Sequence, residues 1–434
     1  MKFIDLFAGL GGFHQALANL GGECVFASEL NQDLADLYEL NFGIKPKGDI
    51  RKVEINGIPD HDILCAGFPC QPFSKAGDQK GLECPQWGDL IDYVIEILRV
   101  KEPRFFLIEN VPNLIRHNGG KTWNDICSRM KDLGYDTSFS KLSPHMFGIP
   151  QKRERAFLVG DRNGLKSFVW PSATALPEVN ISTVLDTEPD DALSLNENHL
   201  KYLGVWQEFL DVIPASSDLP SFPIWAMEFG ANYPLDGLTP FARAYSGLGK
   251  YRGAFGKPLK RLSASSVETA LPSYARTKLD KFPSWKIDFI QKNRAFYKTH
   301  KAIIDPWLGA LKKFPPSFQK LEWNIKGGER NIWKYIIQFR ASGIRVKRTE
   351  TAPSLIAMTT SQVPIIAWQK RYMTPRECSR LQSMGGLKYI PETKNGAYKA
   401  FGNAVNVEVV EQILSQLFRD IDSLPSEKPH LAAE

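Results

Sequence analysis

Cys70 stands between two prolines in Gly67-Phe-Pro-Cys-Gln-Pro-Phe-Ser74, directly after an apolar run, Asp62–Ala66, that reads as a strand. A thiol on a proline-restricted loop at a strand exit is a nucleophile candidate. Cys65, inside the run, has the setting of the buried thiol that most free cysteines are. A second apolar run ends on a carboxylate, in Phe105-Phe-Leu-Ile-Glu109-Asn-Val111. An apolar setting raises a carboxyl pKa and would keep Glu109 protonated as an acid; a capping or salt-bridged Glu fits the same pattern. In Gln151-Lys-Arg153-Glu-Arg155, alternating arginines lead into a strand and share a face of it. They suit phosphates, a carbonyl oxygen or surface ion pairs alike. In Asp5-Leu-Phe-Ala-Gly9-Leu-Gly11-Gly12-Phe13 a strand enters a glycine-rich turn and a helix, where backbone approaches a ligand beside a helix N-terminus. Glu29, at the end of the next strand, is placed to accept ribose hydroxyls, and Asp49 to accept from an adenine amino group. Each acid alone also reads as a solvated loop carboxylate. Asn403, in Gly402-Asn-Ala-Val405, fits the N-cap of a final helix.

The elements that must position these groups alternate. Strands are expected at Lys2–Phe7, Cys24–Ser28, Asp62–Ala66, Arg104–Glu109 and Ala156–Gly160. Helices are expected at Phe13–Leu20, through Leu34, Leu37, Tyr38 and Phe42, at Leu90–Val100 and at Trp123–Leu133. This alternation predicts an α/β fold with a doubly wound, mostly parallel sheet that binds ligands at the carboxyl ends of its strands. From Pro171 to about 370 the chain is rich in Pro, Trp and other aromatics without a repeat, and Leu219–Pro223 and Pro315–Pro316 read as loops. Regular character returns with an amphipathic helix over Ala404–Phe418, and Ser423–Glu434 reads as a frayed tail.

The chain has 434 residues, 43% hydrophobic and 24% charged, which is ordinary for a globular protein. Its apolar runs are too short for a spanning helix, and the start lacks the apolar stretch of a signal peptide. The 6 cysteines form no CxxC pair and no disulfide framework, so reduced thiols, a cytoplasmic setting and no metal are expected. The net charge of +6 hides an uneven distribution. Residues 1–168 carry 20 basic and 22 acidic side chains, and 169–236 carry 1 basic and 11 acidic. Residues 237–348 carry 24 basic and 6 acidic. Such a concentrated positive segment points to a polyanion, although a solvated lysine-rich face fits too.

In the order DLFAGLGGF, GFPCQPFS, ENV, QKRER and GNAV, these motifs resemble the C5-cytosine DNA methyltransferase family of bacterial restriction–modification type. The resemblance covers roughly 1–165 and 370–420. It implies a Rossmann-like S-adenosylmethionine-dependent methyltransferase sheet with a second, mixed target-recognition domain. The expected division is 1–170 plus 400–434 for catalysis and cofactor binding, and 171–399 for target recognition. The resemblance implies methyl transfer to C5 of a flipped-out cytosine in double-stranded DNA, with S-adenosylhomocysteine as product. It makes Cys70 the nucleophile toward C6, Glu109 the acid at ring N3, and Arg155 the holder of the base carbonyl. Arg153 joins this catalytic set, and Gln71, Ser74 and Arg155 meet DNA, carried by a closing loop, 71–89. Phe7, Ala8, Gly9, Leu10, Gly11, Gly12, Glu29, Leu30, Asp49, Ile50, Pro69, Leu90, Asn403 and Ala404 are the implied cofactor set. Leu30 replaces a frequent aromatic, and Cys84 and Trp87 stand near places where the family has an Asp and an Arg. The segment Arg371-Tyr-Met-Thr-Pro-Arg-Glu377 resembles the one that organises the family's recognition region.

The same catalytic set suits a transfer-RNA cytosine-5 methyltransferase of this fold; the long basic middle favours duplex DNA. A cofactor-sensing DNA-binding protein would not need Cys70, Glu109 and Arg155, and a dinucleotide oxidoreductase has no use for the GFPCQPFS loop. Family habit adds a possible cognate restriction endonuclease, a bacterial or phage-encoded source, monomeric action and no membrane.

Overall fold

The computed structural model describes residues 1–69, 90–173, 179–357 and 362–419. The chain divides into two compact units, one of residues 1–188, 350–360 and 374–434 and one of 189–349 and 361–373. The first opens with β1 (Lys2–Leu6), α1 (Gly12–Asn19), β2 (Glu23–Ser28), α2 (Gln32–Phe42) and β3 (Ile63–Ala66). It continues through α3 (Leu90–Lys101), β4 (Phe105–Asn110), the single turn α4 (Asn113–Arg116), α5 (Lys121–Asp132), β5 (Asp136–Leu142), β6 (Gln151–Lys152) and β7 (Arg155–Asp161). The second holds α6 (Glu197–Val212), β8 (Ile224–Trp225), α7 (Ala264–Ala270), α8 (Ser284–Leu311), β9 (Lys320–Asn324), β10 (Ile336–Arg340) and β11 (Gly343–Lys347). The chain returns to the first unit for β12 (Ala352–Pro353) and to the second for β13 (Ile365–Ile366) and β14 (Arg371–Tyr372). The first unit ends with α9 (Pro375–Leu381), α10 (Lys394–Asn403) and α11 (Val407–Leu417).

The first unit's sheet has the order β2-β1-β3-β4-β7-β5. Strands β1 to β4 pair in parallel. β7 runs antiparallel to both of its neighbours. Every residue of β3 and β4 is buried, as expected for central strands covered on both faces. Leu90, Ile91, Val94, Ile95, Ile97 and Leu98 of α3 are buried at helical spacing in the same core as Leu64, Phe106 and Ile108. The second unit has its own six-stranded sheet, β14-β13-β10-β11-β9-β8. Its helices pack through aromatics, with the Trp206 and Trp307 rings 5.1 Å apart.

One expectation is corrected, and one strand was not anticipated. The final helix starts at Val407, not Ala404, and Asn406 caps it by accepting from Val409 N at 3.1 Å. Asn403 instead ends α10, so it is not an N-cap. The edge strand β5 escaped notice because most of its residues are polar and only Leu142 is fully buried. The middle region contains helices and a sheet, in keeping with the mixed second domain expected; strands β8, β13 and β14 have 2 residues each and leave no period to read.

Candidate functional site

A cavity of about 960 Å³ opens at the carboxyl ends of β1 to β4. It is lined by Phe7, Ala8, Gly9, Leu10, Gly12, Glu29, Leu30, Asp49, Ile50, Pro69, Leu90, Glu109, Arg153, Arg155, Asn403 and Ala404. Gly11 stands just behind this wall as the N-cap of α1, with φ +78°. A Cβ there would run into the Phe42 ring as well as the left-handed backbone, so Gly11 is required twice over. Phe7 also has positive φ, +59°, a strained conformation for a bulky residue, at the lip of the turn. Nothing in the sequence signals that strain. Cys70, Gln71, Ser74, Cys84, Trp87 and the rest of 71–89 lie outside the described residues. The Gly67–Pro69 backbone that leads to Cys70 is described. Asn110 fixes it by donating to the Phe68 carbonyl at 3.0 Å. Asn110 was quoted within the ENV motif, but this role needs a partner 42 positions away.

Glu29 and Asp49 differ in how their carboxylates are used. Glu29 accepts from Gly9 N and Asn31 N, both at 2.8 Å, which braces the glycine turn against α2. Burial still raises its pKa despite those hydrogen bonds. A carboxylate with two donors keeps lone pairs for ligand hydroxyls. Asp49 is held by the Arg51 guanidinium, 2.7 Å from Nη2 to Oδ2 and 2.9 Å from Nε to Oδ1, and this pairing lowers its pKa. An adenine amino group would therefore share Asp49 with Arg51, which also lines the cavity. The cavity's remaining wall, Pro391–Thr393 and Gly396, Lys399 and Ala400 around α10, was not anticipated.

Glu109 is the penultimate residue of β4, at 8% exposure, and its Oε1 lies 3.1 Å from Arg155 Nε. Strand register explains the meeting. Asn110 pairs with Ala156, so Arg155 enters β7 where Glu109 leaves β4. Burial raises the Glu109 pKa, and the positive charges of Arg155 and Arg153 oppose it without cancelling it. The acid form therefore persists above the ordinary carboxylate range.

Arg153 behaves differently from the catalytic role expected of it. It sits in the gap between β6 and β7 at 2% exposure. Its Nη1 donates to the Leu355 carbonyl at 2.9 Å, and its Nη2 to those of Gly402 and Ala404 at 2.9 and 3.1 Å. It is a strut that sets the cavity wall. Among the described residues no group of three His, Cys, Asp or Glu is placed to hold a metal ion.

The residues present suit an adenosine-bearing methyl donor. A glycine turn at a helix N-terminus, a partly buried carboxylate just past the second strand and apolar walls at Leu30, Ile50, Phe68 and Leu90 meet in one cavity.

The chain is similar to known proteins along most of its length. The family model described as C-5 cytosine-specific DNA methylase matches residues 1–210 and 255–419. Type II methyltransferase M.AluI of Cellulosimicrobium cellulans is 31% identical, over 96% of this chain and 92% of its own length. Type II methyltransferase M.BanI of Aneurinibacillus aneurinilyticus is 30% identical over 97% and 96%. Type II methyltransferase M.HhaI of Haemophilus parahaemolyticus reaches 46%, over 39% of this chain and 53% of its own. Among solved structures, S. pombe Dnmt2 methyltransferase shares the fold with a TM-score of 0.51 and 19% identity, covering 97% of this chain and 99% of that one.

Arg153→Met should cost at least about 3 kcal/mol of stability, because it leaves buried carbonyls without donors. Denaturant unfolding measures this; a loss under about 1 kcal/mol would contradict the strut.

Proposed function

The chain belongs to the C-5 cytosine-specific DNA methylase family, and on that premise we propose that it methylates C5 of a flipped-out cytosine in duplex DNA through a covalent bond between Cys70 and C6. The observation that carries the proposal is the Glu109–Arg155 pair, which shares one cavity with the glycine turn and Glu29. Cytosine C5 is a poor nucleophile. Addition of the Cys70 thiolate to C6 moves electron density to C5. Glu109, whose pKa burial raises, donates to ring N3 as the thiolate adds. Arg155 holds the base carbonyl and stays within reach of Glu109. S-adenosylmethionine, when bound, supplies the electrophilic methyl, and Gly9, Glu29, Asp49, Leu30 and Ile50 hold it. The C5 proton then leaves to base, the N3 proton returns to Glu109, and the C6–S bond breaks to return the thiolate and release 5-methylcytosine.

A cytosine inside a duplex cannot present C6 to a thiol, so the base must leave the stack. We assign the duplex to the second unit, where residues 237–348 carry 24 basic and 6 acidic side chains. The type II names of its relatives support a place in a restriction–modification system beside a cognate endonuclease. Among the described residues no helix is long and apolar enough to cross a membrane.

Labelled S-adenosylmethionine with duplex DNA should give incorporation by the wild type and at least about 10³-fold less by Cys70→Ser. Equal incorporation would overturn the covalent route, and labelling of RNA alone would move the substrate to RNA. Glu109 acts as its protonated form and its pKa is raised. Its share of kcat/KM should thus persist on the acid side and fall as pH climbs through that pKa. Glu109→Gln cannot titrate. It should be about 10²–10⁴-fold slower and lack that descending limb; an unchanged limb would assign the proton to another group.

A further inference from the structure

Between Asp236 and Glu268 the chain has 6 basic residues and no acidic one. Within that stretch Tyr251–Leu259 folds back on itself as a short two-stranded ribbon. Leu259 N donates to Tyr251 O at 3.1 Å, Arg252 and Pro258 form an antiparallel bridge, and Gly253 N donates to Lys257 O at 2.8 Å. The ribbon is firmly built. Asn232 grips Arg252 from both sides, donating its N–H to the Arg252 carbonyl at 3.1 Å and accepting Arg252 N on Oδ1 at 2.6 Å. At the tip Phe255 has φ +54° and Gly256 φ +73°, and Gly256 lies directly against Gly230, where a Cβ on Gly230 would come within 3.1 Å. Arg261, just beyond the ribbon, has φ +63°. Non-glycine residues in this region cost about 1–3 kcal/mol each and persist where the surroundings enforce them.

The cations on and beside this ribbon differ from several in the same unit that are neutralised: Lys292 by Asp288 at 2.7 Å, Arg294 by Glu228 at 2.8 Å and Arg345 by Glu322 at 2.6 Å. Arg252, Lys257, Lys260 and Arg261 are exposed, and among the described residues none of the four forms an ion pair. A preorganised two-stranded ribbon fits the major groove, and an exposed Arg upon it can bond a guanine edge through two donors. The stretch that the family model leaves unmatched, 211–254, runs into this ribbon, so it begins where this chain is its own.

Building on the proposed DNA substrate, we propose that the Tyr251–Leu259 ribbon, with Lys260 and Arg261, reads the target sequence in a groove of duplex DNA. The test uses the full-length protein, a library of random-sequence duplexes and sequencing of the methylated cytosines. Arg252→Gln should broaden the methylated motif at one position or more. The fourfold Arg252→Gln, Lys257→Gln, Lys260→Gln, Arg261→Gln variant should also flatten the slope of log affinity against log salt by about 3–4. S-adenosylmethionine binding by calorimetry should stay as in the wild type, which reports on folding. Lys257→Gln alone, at an exposed site, serves if the fourfold variant is unstable. Lys292→Gln, a paired cation, should change neither motif nor slope. An unchanged motif and slope in the ribbon variants would overturn the assignment while leaving the methylation reading intact. Wild-type protein that methylates no duplex would overturn that reading and the ribbon with it.

Discussion

One buried guanidinium sets the geometry on which the cavity depends. Arg153 reaches Leu355 and, 249 and 251 positions away in sequence, Gly402 and Ala404. The stretches it joins are loops or helix ends, whose buried carbonyls have no ladder to satisfy them. Other amides do the same work nearby. Gln151 donates to Leu381 O at 2.7 Å, Gln382 to Phe401 O at 2.6 Å, and Asn406 to Leu381 O at 3.0 Å. Gln151 and Arg153 thus stitch the late segment of the chain to the early one, Gln382 and Asn406 tie the late segment to itself, and that segment completes the cavity wall with Asn403, Ala404 and Val405.

Within that frame, two carboxylates are tuned by different surroundings. Glu29 is tied to backbone N–H groups at the cofactor end, where it can act as an acceptor. Glu109 stands at the end of a fully buried strand with an arginine beside it. Burial favours its neutral form, and Arg155 restrains the shift and orients the carboxyl. Burial raises the pKa of both, and placement alone gives the same residue type backbone N–H donors in one case and a guanidinium in the other. The second unit keeps several cations exposed and without an ion pair among the described residues, as the proposed DNA face requires.

Much of the first unit was legible in the sequence because its signals are local. Apolar runs gave β1, β3 and β4 to within a residue or so, and the glycine turn, Glu29 and Glu109 sit at strand ends where one cavity collects them. The signals that failed depend on partners far along the chain. Arg153 looked like its neighbour Arg155, since two arginines at alternate positions announce neither a buried strut nor an ion pair. Asn403 and Asn406 are both plausible caps before an apolar helix, and only the backbone chooses Asn406. The ribbon at Tyr251–Leu259 has Gly and Pro at its turns but no alternating pattern, so its charge was visible and its shape was not.

The central claim is a covalent bond between Cys70 and cytosine C6. Duplex DNA with 5-fluorocytosine at the target position tests it directly, because fluorine cannot leave C5 as the proton does and the C6–S bond then persists. Denaturing electrophoresis with mass spectrometry should show a protein–DNA adduct that carries the transferred methyl, requires S-adenosylmethionine and maps to Cys70. Methylated wild-type substrate alongside complete absence of that adduct, or an adduct retained by Cys70→Ser, would contradict it.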